Sequence, residues 1–383
     1  MRVLHVITSL SIGGAETMLL KLVSALQSRV FDFRVVSLTG SQPIGDRLCE
    51  RGVNVLALGG VGNPLGMAAR ARFLDFAVAW RPQILHTWMY HANVFGHIAL
   101  RSMHWPIEPC HIGSVRGALS APRLQKLTTR LTRRADALLS SRVAAMVFNS
   151  EAVARQHVDA GYCNRNIVII PNGFDTGQFA PAPSARAAVR AELGIADDAV
   201  VCVMVARWHN LKGHAQLLSA LEIAGRPFSK LLLVMIGPGC TSDNVDLQRA
   251  LSRTDLAQRA LLLGERSDIA RCYSAGDFAV SASLSESFPN AIGEAMACGL
   301  PCIVTDVGGC AYLLGVAGRV VPPGNVRALA DALSWMAAMA AKERTSLGLQ
   351  ARARIIEKFA LQRVADQFAG LYQQLSAGSR QPG

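Results

Sequence analysis

The sequence predicts an α/β protein built from two doubly wound parallel sheets. Its 383 residues are long for a single hydrophobic core and normal for two domains. Apolar, β-prone runs alternate with helical segments, and a second alternating series begins at Ala199. The strands read as continuous apolar runs, which is typical of parallel strands covered by helices on both faces. Both domains are therefore expected to be Rossmann-like, with ligands bound beyond the carboxyl ends of the strands.

The first domain is predicted over residues 1–180. Helices such as Glu16–Gln27 and Gly66–Trp80 fill the gaps between its strands. The Pro/Ala-rich stretch Phe179–Ser184 lacks periodicity, so it is predicted to be the linker to the second domain. The strands are predicted at Arg2–Leu10, Phe33–Leu38, Val53–Leu58, Gln83–Trp88, Pro109–Val115 and Ala144–Asn149, with a last one starting at Ile167.

The second domain is predicted over residues 181–383 and repeats the same alternation. Its last segment, Val326–Leu375, is expected to form two long helices. Its strands are predicted at Ala199–Ala206, Leu231–Ile236, Leu261–Leu263, Asp277–Leu284 and Pro301–Thr305.

The composition excludes several classes of protein. Hydrophobic residues make up 51% of the chain and charged residues 17%, so the chain is globular rather than disordered. No apolar run approaches the roughly 20 residues that span a bilayer. The short apolar run after Arg2 continues into a strand–loop–helix pattern, so we expect a cytoplasmic protein. The nine cysteines show no recurring metal-binding spacing and are expected to be reduced.

The net charge of +12 fits nucleic acid, an anionic membrane or phosphorylated small molecules as partners. The sequence has no helix-turn-helix, zinc or RNA-binding signature, which argues against nucleic acid. The segment Arg123–Arg134 (RLQKLTTRLTRR) contains five basic residues and no acidic one. Its cations and leucines recur at helical spacing, which suits contact with anionic lipid headgroups. A solvated face over an ordinary core stripe explains the same pattern equally well.

The stretch from Glu286 to Pro301 (ESFPNAIGEAMACGLP) predicts a loop, a helix and the turn into a strand. Pro289 suits the first helical turn, and Gly299 with Pro301 ends the helix. The first N–H groups of such a helix form an anion site that suits a diphosphate. A carboxylate at Glu286 or Glu294 can accept two hydrogen bonds from a vicinal diol such as that of a ribose. Taken alone, both glutamates are more simply explained as helix-dipole and solvated residues.

The wider stretch Leu261–Gly309 closely resembles the E-x7-E signature of the retaining glycosyltransferases of family 4, which have the GT-B fold. The resemblance implies that Glu286 lies near the transferred sugar and that Glu294 binds the nucleotide ribose. It also places Asn290 among the donor-binding residues. The family commonly has glycine where this chain has Ser287.

Further donor-binding residues follow from the resemblance. The run after Ala206, Arg207-Trp208-His209-Asn210-Leu211-Lys212-Gly213, is similar to the family pattern G-R-x4-K-G, with alanine in place of the first glycine. The family uses this arginine and lysine to bind the donor diphosphate. Two cations at a strand end stabilise the charge that grows as a sugar–phosphate bond breaks. Solvated surface cations are the alternative for Arg207 and Lys212.

The resemblance assigns three more residues to the donor. Gly13 and Gly14 match the family loop G-G-A-E, which faces the donor phosphate; a tight turn is the alternative. Arg266 lies in a loop that the family uses near the nucleobase. Family 4 needs no metal, and Arg207, Lys212 and the helix N-terminus supply equivalent positive charge, so no metal or other cofactor is expected.

The acceptor side is less defined. His86 and His91 lie at the carboxyl end of a predicted strand, and His86 joins the catalytic candidates, although most such histidines are structural. Arg116 stands where many family members have a histidine near the transferred sugar. Arginine stays protonated, so it clamps a phosphate or a sugar hydroxyl and is not a base. A surface arginine after a strand is the alternative.

The resemblance as a whole implies transfer of a sugar, with anomeric retention, from a nucleotide-sugar to a hydroxyl acceptor. A UDP-hexose or UDP-N-acetylhexosamine is favoured as the donor over GDP-mannose. The acceptor is expected to be a glycan or a lipid-linked molecule in surface polysaccharide or glycolipid synthesis. The donor should bind to the second domain and the acceptor to the first, and the final helix should pack back onto the first domain. A nucleotide-sugar epimerase and a non-catalytic sugar-nucleotide binder are the alternatives.

Overall fold

The computed structural model describes residues 1–27, 30–59, 66–119, 127–225, 230–252 and 258–378. The chain forms two compact units: Met1–Gly173 together with Leu361–Gly383, and Phe174–Ala360. The N-terminal part of the first unit thus ends at Gly173, before the sequence-predicted boundary near residue 180. The reason is that Phe174 and Phe179 are buried in the core of the second unit, and the Phe174 N–H donates to the Phe359 carbonyl at 2.9 Å.

The first unit has a seven-stranded sheet in which every strand pair is parallel. Its strands are β1 (Arg2–Ile7), β2 (Asp32–Ser37), β3 (Asn54–Ala57), β4 (Ile84–Trp88), β5 (Cys110–Val115), β6 (Ala145–Phe148) and β7 (Ile167–Ile169). Its helices up to the unit boundary are α1 (Gly14–Leu26), α2 (Ile44–Cys49), α3 (Met67–Phe73), α4 (Met89–Ser102), α5 (Leu127–Leu139) and α6 (Glu151–Asp159). The strand order is β3-β2-β1-β4-β5-β6-β7, so the order reverses between β1 and β4.

The second unit has a six-stranded parallel sheet. Its strands are β8 (Val200–Val205), β9 (Leu231–Ile236), β10 (Ala260–Leu262), β11 (Phe278–Ser281), β12 (Cys302–Thr305) and β13 (Gly318–Val321). Its helices are α7 (Pro183–Glu192), α8 (His214–Gly225), α9 (Val245–Leu251), α10 (Ile269–Ser274), α11 (Asn290–Ala297), α12 (Cys310–Leu314), α13 (Val326–Ala338) and α14 (Ala341–Arg354). The strand order β10-β9-β8-β11-β12-β13 reverses between β8 and β11.

Both sheets therefore have the doubly wound order that the sequence predicts, and they match the GT-B fold class. The inner strands of both sheets are mostly buried, which is why they read as continuous apolar runs, whereas the edge strands β3, β7, β10 and β13 are partly exposed. In such sheets ligands bind beyond the carboxyl ends of the strands where the order reverses. In the second unit the loops after β8 and β11 meet at that point.

The C-terminal part differs from the prediction of two long helices over Val326–Leu375. It forms α13, α14 and a final helix, α15 (Leu361–Gly378), of which α15 belongs to the first unit. The chain turns at Met339, where ψ is 139°, and the Ala340 N–H donates to the Glu343 carboxylate at 3.2 Å. No glycine or proline marks this break, so the sequence pattern did not reveal it. None of the helices within the described ranges combines the length and apolarity needed to cross a bilayer.

Four histidines lie in the interior of the first unit: His5, His86, His111 and His157. Burial lowers the pKa of His5 and His111 to about 3, that of His157 to about 4, and that of His86 well below its usual value. These side chains are therefore neutral in the folded protein at pH 5, while the same side chains in the unfolded chain bind protons below about pH 6.5. The unfolded state takes up more protons, so stability falls as the pH falls below about 6.5.

Two glycines position the loops that meet at the carboxyl edge of the second sheet. Gly213 and Gly308 have φ values of +71° and +54°. A Cβ on Gly213 would lie 1.9 Å from the Ala282 carbonyl oxygen, and one on Gly308 would lie 1.9 Å from the Glu286 carbonyl oxygen. Both the backbone conformation and the close approach therefore require glycine.

We expect Gly308→Ala to lower the free energy of unfolding by more than about 2 kcal/mol, because it combines left-handed strain with a backbone clash. Gly194 provides a matched control, since its φ is +64° and a Cβ at this position would have no atom within 4 Å. Gly194→Ala should cost only about 1 kcal/mol. Urea unfolding of both variants measures the difference; equal losses would contradict the close packing at Gly308.

The buried histidines predict a pH dependence of stability. When the pH falls from 6 to 5, the free energy of unfolding should drop by about 1 kcal/mol less in His5→Asn than in the parent protein. The reason is that one proton fewer binds on unfolding. Urea titrations at the two pH values measure this difference. An identical dependence in the parent protein and His5→Asn would show that His5 is protonated when folded.

Candidate active site

The structure brings together two of the predicted site residues, Lys212 and Glu286, at the point of strand-order reversal in the second sheet. Lys212 ends a single 3-10 turn, Asn210–Lys212, in the loop after β8, and Glu286 lies in the loop between β11 and α11. The Lys212 Nζ donates to the Glu286 Oε2 in an ion pair whose side chains are 27% and 17% exposed. The Leu284 N–H donates to the Leu211 carbonyl at 2.8 Å, which holds the two loops side by side.

Helix α11 begins four residues after Glu286, at Asn290. Pro289, which the sequence pattern places in the first helical turn, is instead the N-cap, with ψ at 87°. The Ile292 and Gly293 N–H groups both donate to the Pro289 carbonyl at 3.1 Å. The loop that precedes α11 contains Glu286. The N-terminus of α11 therefore directs the positive end of its helix dipole toward that loop.

Glu294 lies in the second turn of α11 and is half-buried. Burial, followed by the charge of Glu294, raises the pKa of Tyr273 well above its usual value and also raises that of Cys298. The Tyr273 hydroxyl donates to the Ala291 carbonyl at 2.7 Å, so α10 supports the first turn of α11. Glu294 is thus held on the same short helix as Asn290, about one turn further along.

Arg207 follows β8 in the same loop as Lys212 and is exposed. Within the described ranges it makes no ion pair. The neighbouring Trp208 fixes the loop, because its N–H donates to the Pro238 carbonyl at 2.8 Å and its ring packs 4.7 Å from that of His214. The loop after β8 thus presents one exposed and one half-buried cation.

Arg266 belongs to an ion-pair cluster that shares no member with the Lys212–Glu286 pair. Its guanidinium donates to both carboxylate oxygens of Asp268 at 2.8 Å and to Glu192 at 3.4 Å. These partners raise the pKa of Arg266, and Arg271 joins the same two acids. The structure does not pair Arg266 with Lys212 or Glu286, and its contact with a nucleobase stays a prediction.

In the first unit, Gly13 and Gly14 lie where the strand order reverses between β1 and β4. Gly13 is extended, with φ at −161°, and Gly14 begins α1. A Cβ on Gly13 would lie 2.3 Å from the Glu16 carboxylate, so glycine leaves room for that side chain. Glu16 accepts from the Ser9 hydroxyl at 3.3 Å, and burial raises its pKa. Donor contact by Gly13 and Gly14 stays a prediction.

His86 requires a correction as a catalytic candidate. Its side chain is fully buried, its Nδ1 lies 2.7 Å from the Tyr372 hydroxyl, and its Nε2 lies 2.6 Å from the Ser114 hydroxyl. Both ring nitrogens are therefore occupied, and the lowered pKa keeps the ring neutral. These contacts make His86 a structural residue that joins β4 to α15 and β5. His91 is half-buried on α4.

Arg116 is also buried, although the sequence allowed an exposed position. Its guanidinium lies over the rings of Trp88 and Phe368, at 5.1 and 5.4 Å from their centres. It donates to the Asn172 side chain and to the Ile170 carbonyl. Burial lowers the pKa of Arg116 to about 9. Arg116 thus supports α15 and the segment after β7, while a contact with substrate stays a prediction.

Met89 is a residue at this edge that sequence reasoning missed. It follows β4 and has a φ of +73°, which is rare for a residue with a side chain. Its sulfur accepts from the Arg116 N–H at 3.3 Å, and a Cβ on Gly117 would lie 3.1 Å from its methyl group. Methionine has no sequence signal for a left-handed conformation, so only the structure reveals it.

Within the described residues, no three His, Cys, Asp or Glu side chains gather in a way that could hold a metal ion. The charge available at the candidate site is instead that of Lys212, Arg207 and the N-terminus of α11. This arrangement is chemically suited to an anionic group with oxygen atoms, since ammonium, guanidinium and backbone N–H groups are all donors.

Comparison with known protein families covers most of both units. Residues 12–178 match the family described as Glycosyltransferase Family 4. Residues 199–338 match the family described as Glycosyl transferases group 1. The second match includes Lys212, Glu286 and all of α11.

Two relatives are similar to this chain over more than half of its length. EpsF of Bacillus subtilis (strain 168), a protein assigned as a glycosyltransferase, is 28% identical over 80% of this chain and 79% of its own length. The Escherichia coli UDP-Gal:alpha-D-GlcNAc-diphosphoundecaprenol alpha-1,3-galactosyltransferase is 27% identical over 59% of this chain and 58% of its own length.

Solved structures share the fold. HepE of Anabaena in complex with UDP superposes with a TM-score of 0.85 at 24% identity, covering 98% of this chain and 100% of HepE. HepE in complex with UDP-glucose gives a TM-score of 0.82 at 23% identity, covering 97% of this chain and 99% of HepE.

The resemblance in the stretch Leu261–Gly309 is therefore confirmed along most of the chain. Two Rossmann-like sheets of the expected strand order, the Lys212–Glu286 pair before α11 and the two family matches agree with one another. The protein is a glycosyltransferase with the GT-B fold, and it belongs to glycosyltransferase family 4.

Proposed function

We propose that the protein transfers a hexose or N-acetylhexosamine from a UDP-sugar, with retention of anomeric configuration, to a hydroxyl of a lipid-linked or glycan acceptor. Its general activity is glycosyl transfer in polysaccharide or glycolipid synthesis. The observation that carries the proposal is the Lys212–Glu286 pair, which lies where a doubly wound sheet binds its ligand.

Lys212 is the proposed clamp for the donor diphosphate. Its ammonium group has three donors, so it can hold Glu286 and a phosphate oxygen at the same time. The N-terminus of α11 and the exposed Arg207 add positive charge from the same edge. Together they supply the neutralisation that a metal ion provides in other enzymes, so no metal is required by this proposal.

Glu286 and Glu294 are proposed to bind the two sugars of the donor. Lys212 holds the Glu286 carboxylate ahead of α11, where it accepts from hydroxyls of the transferred sugar. Glu294, one turn along the helix, accepts from the ribose diol, and Asn290 lies between them in the chain. The ion pair orients the Glu286 carboxylate, so the substrate meets a preformed acceptor of hydrogen bonds.

The proposed reaction breaks the bond between the sugar C1 and the diphosphate oxygen. The leaving diphosphate gains negative charge, which Lys212 and the N-terminus of α11 stabilise more strongly as the bond lengthens. The acceptor oxygen attacks C1 from the face that the diphosphate leaves, and the acceptor proton passes to a departing phosphate oxygen. This route retains the configuration and needs no acid or base from the buried His86.

The choice of UDP and of a lipid-linked acceptor draws on related proteins. HepE has been solved with UDP and with UDP-glucose, and the Escherichia coli relative is named for a UDP-Gal donor and a diphosphoundecaprenol-linked acceptor. A nucleotide-sugar epimerase is the second candidate. It would convert its donor in the absence of acceptor, whereas a transferase only slowly hydrolyses its donor under those conditions.

Lys212→Ala should weaken UDP binding about 30-fold, because it removes a charge-assisted contact to the diphosphate. Lys230 is the matched control, since it forms an ion pair with Asp198 in the same unit and is 64% exposed. Lys230→Ala should bind UDP as the parent protein does. Isothermal titration calorimetry measures both affinities, and an unchanged affinity in Lys212→Ala would remove the proposed clamp.

UDP at about 100 times its Kd should add about 2.7 kcal/mol to stability and raise the Tm by roughly 5 °C, with a much smaller effect from GDP. Thermal unfolding measures this difference.

With the preferred UDP-sugar and a hydroxyl acceptor, NMR of the product should show the anomeric configuration of the donor. A larger effect of GDP would contradict the donor choice, and an inverted product would contradict retention.

A further inference from the structure

We propose that the outer face of α5 docks onto the surface of an anionic phospholipid bilayer. The docking face comprises Leu127, Leu131 and Leu138 with the cations Arg130 and Arg134. This inference deepens the proposed function, because it gives the first unit a way to reach an acceptor that is carried by a lipid. The binding itself requires neither donor nor acceptor.

The three leucines point away from the protein interior. Leu127 is 66% exposed, Leu131 is 55% exposed and Leu138 is 80% exposed. They lie at positions i, i+4 and i+11 of one helix, with Arg134 at i+7, so all four share one face. The sequence left open whether the leucines of this segment cover a core. The exposure of Leu127, Leu131 and Leu138 contradicts that alternative for these three residues. Arg123, Leu124 and Lys126 lie outside the described residues.

The opposite face of α5 anchors the helix to the first unit. Asp136 is buried, and it accepts from the Asn93 side chain at 3.1 Å and from the Tyr162 hydroxyl at 2.7 Å. Ala137 is buried beside it. The single acidic residue of α5 is therefore turned inward, and the leucine stripe lies on the side of the helix away from Asp136.

Cations surround the docking face. Arg134 is exposed within the stripe, and Arg130 lies one turn before it. The charge of Arg133 instead opposes the rise in pKa that burial causes at Tyr90 and Tyr162, which lie near Asp136. Among the described residues of α5, the outward face therefore combines exposed leucines with cations and carries no carboxylate.

This chemistry selects a lipid surface over the other occupants. Leucines on a helix with cationic flanks lie in the plane of a bilayer, with the apolar side chains between the headgroups and the cations near lipid phosphates. The 13 residues of α5 that the structure describes are too few to cross a bilayer. A second copy of the chain would have to place these arginines against an overall charge of +12, which opposes association through this face.

The test is sedimentation of the full chain with vesicles of phosphatidylcholine alone or with phosphatidylglycerol added. The parent protein should bind the anionic vesicles at least ~tenfold more strongly than the neutral ones. Leu131→Ser/Leu138→Ser should lower binding to the anionic vesicles at least ~tenfold. Leu349→Ser, in the second unit and 60% exposed, is the control for a lost exposed leucine and should bind as the parent does.

Charge reversal separates the face from the net charge. Arg130→Glu/Arg134→Glu should abolish sedimentation, whereas Arg155→Glu/Arg165→Glu, which changes the net charge equally at exposed positions of the first unit, should reduce it only slightly. Thermal unfolding and UDP affinity of every variant check that the fold and the donor site are intact.

Two outcomes would overturn the proposal. One is binding to anionic vesicles that survives both changes on α5. The other is no vesicle binding by the parent protein together with a dimer, seen by light scattering, that the leucine variant dissociates; the face would then join two copies. Failure of vesicle binding with normal UDP affinity would leave the transferase function standing, so the two proposals fail separately.

Discussion

The ion pair between Lys212 and Glu286 is the contact on which the candidate site depends. It joins two loops that are far apart in the chain and meet because the strand order reverses between β8 and β11. Neither loop could reach this arrangement with ordinary residues at Gly213 and Gly308, where a Cβ would clash with the backbone of the loop after β11. The ion pair fixes the position of Glu286 ahead of α11. The N-terminus of α11 adds the positive end of its helix dipole. The charge of Lys212, the close packing at Gly213 and Gly308 and the direction of α11 therefore together determine the surroundings of Glu286.

The first unit shows a different use of polar residues. His86 and Arg116 lie at the strand ends where a site is expected, yet their contacts are with Tyr372, Phe368 and Asn172. These buried contacts attach α15 to the sheet, so the polar groups serve the stability of the unit. A buried hydrogen-bonded network of this kind is costly to disturb, because each lost partner leaves an unsatisfied polar group. On the surface of the same unit, α5 turns the carboxylate of Asp136 inward and turns Leu127, Leu131, Leu138 and Arg134 outward.

The sequence predicted the parts of the structure that depend on local patterns. Buried parallel strands read as apolar runs, and Pro289 and Gly299 marked the ends of α11, so the sheets and this helix could be anticipated closely. The structural role of His86 could not, because its partner Tyr372 is 286 residues away in the chain. The break between α13 and α14 has no glycine or proline, and Met89 adopts a positive φ without any characteristic residue type. Helical periodicity identified α5 as amphipathic, but it could not decide whether the leucines face the core or the solvent.

The central claim is that positive charge at the carboxyl edge of the second sheet grips the leaving diphosphate. A crystal structure of the protein with UDP tests it most directly. The account predicts phosphate oxygens within hydrogen-bond distance of the Lys212 Nζ and of the first backbone N–H groups of α11, with Glu286 still in contact with Lys212. UDP bound at the amino ends of the strands, or a diphosphate held by other groups with Lys212 facing solvent, would contradict it.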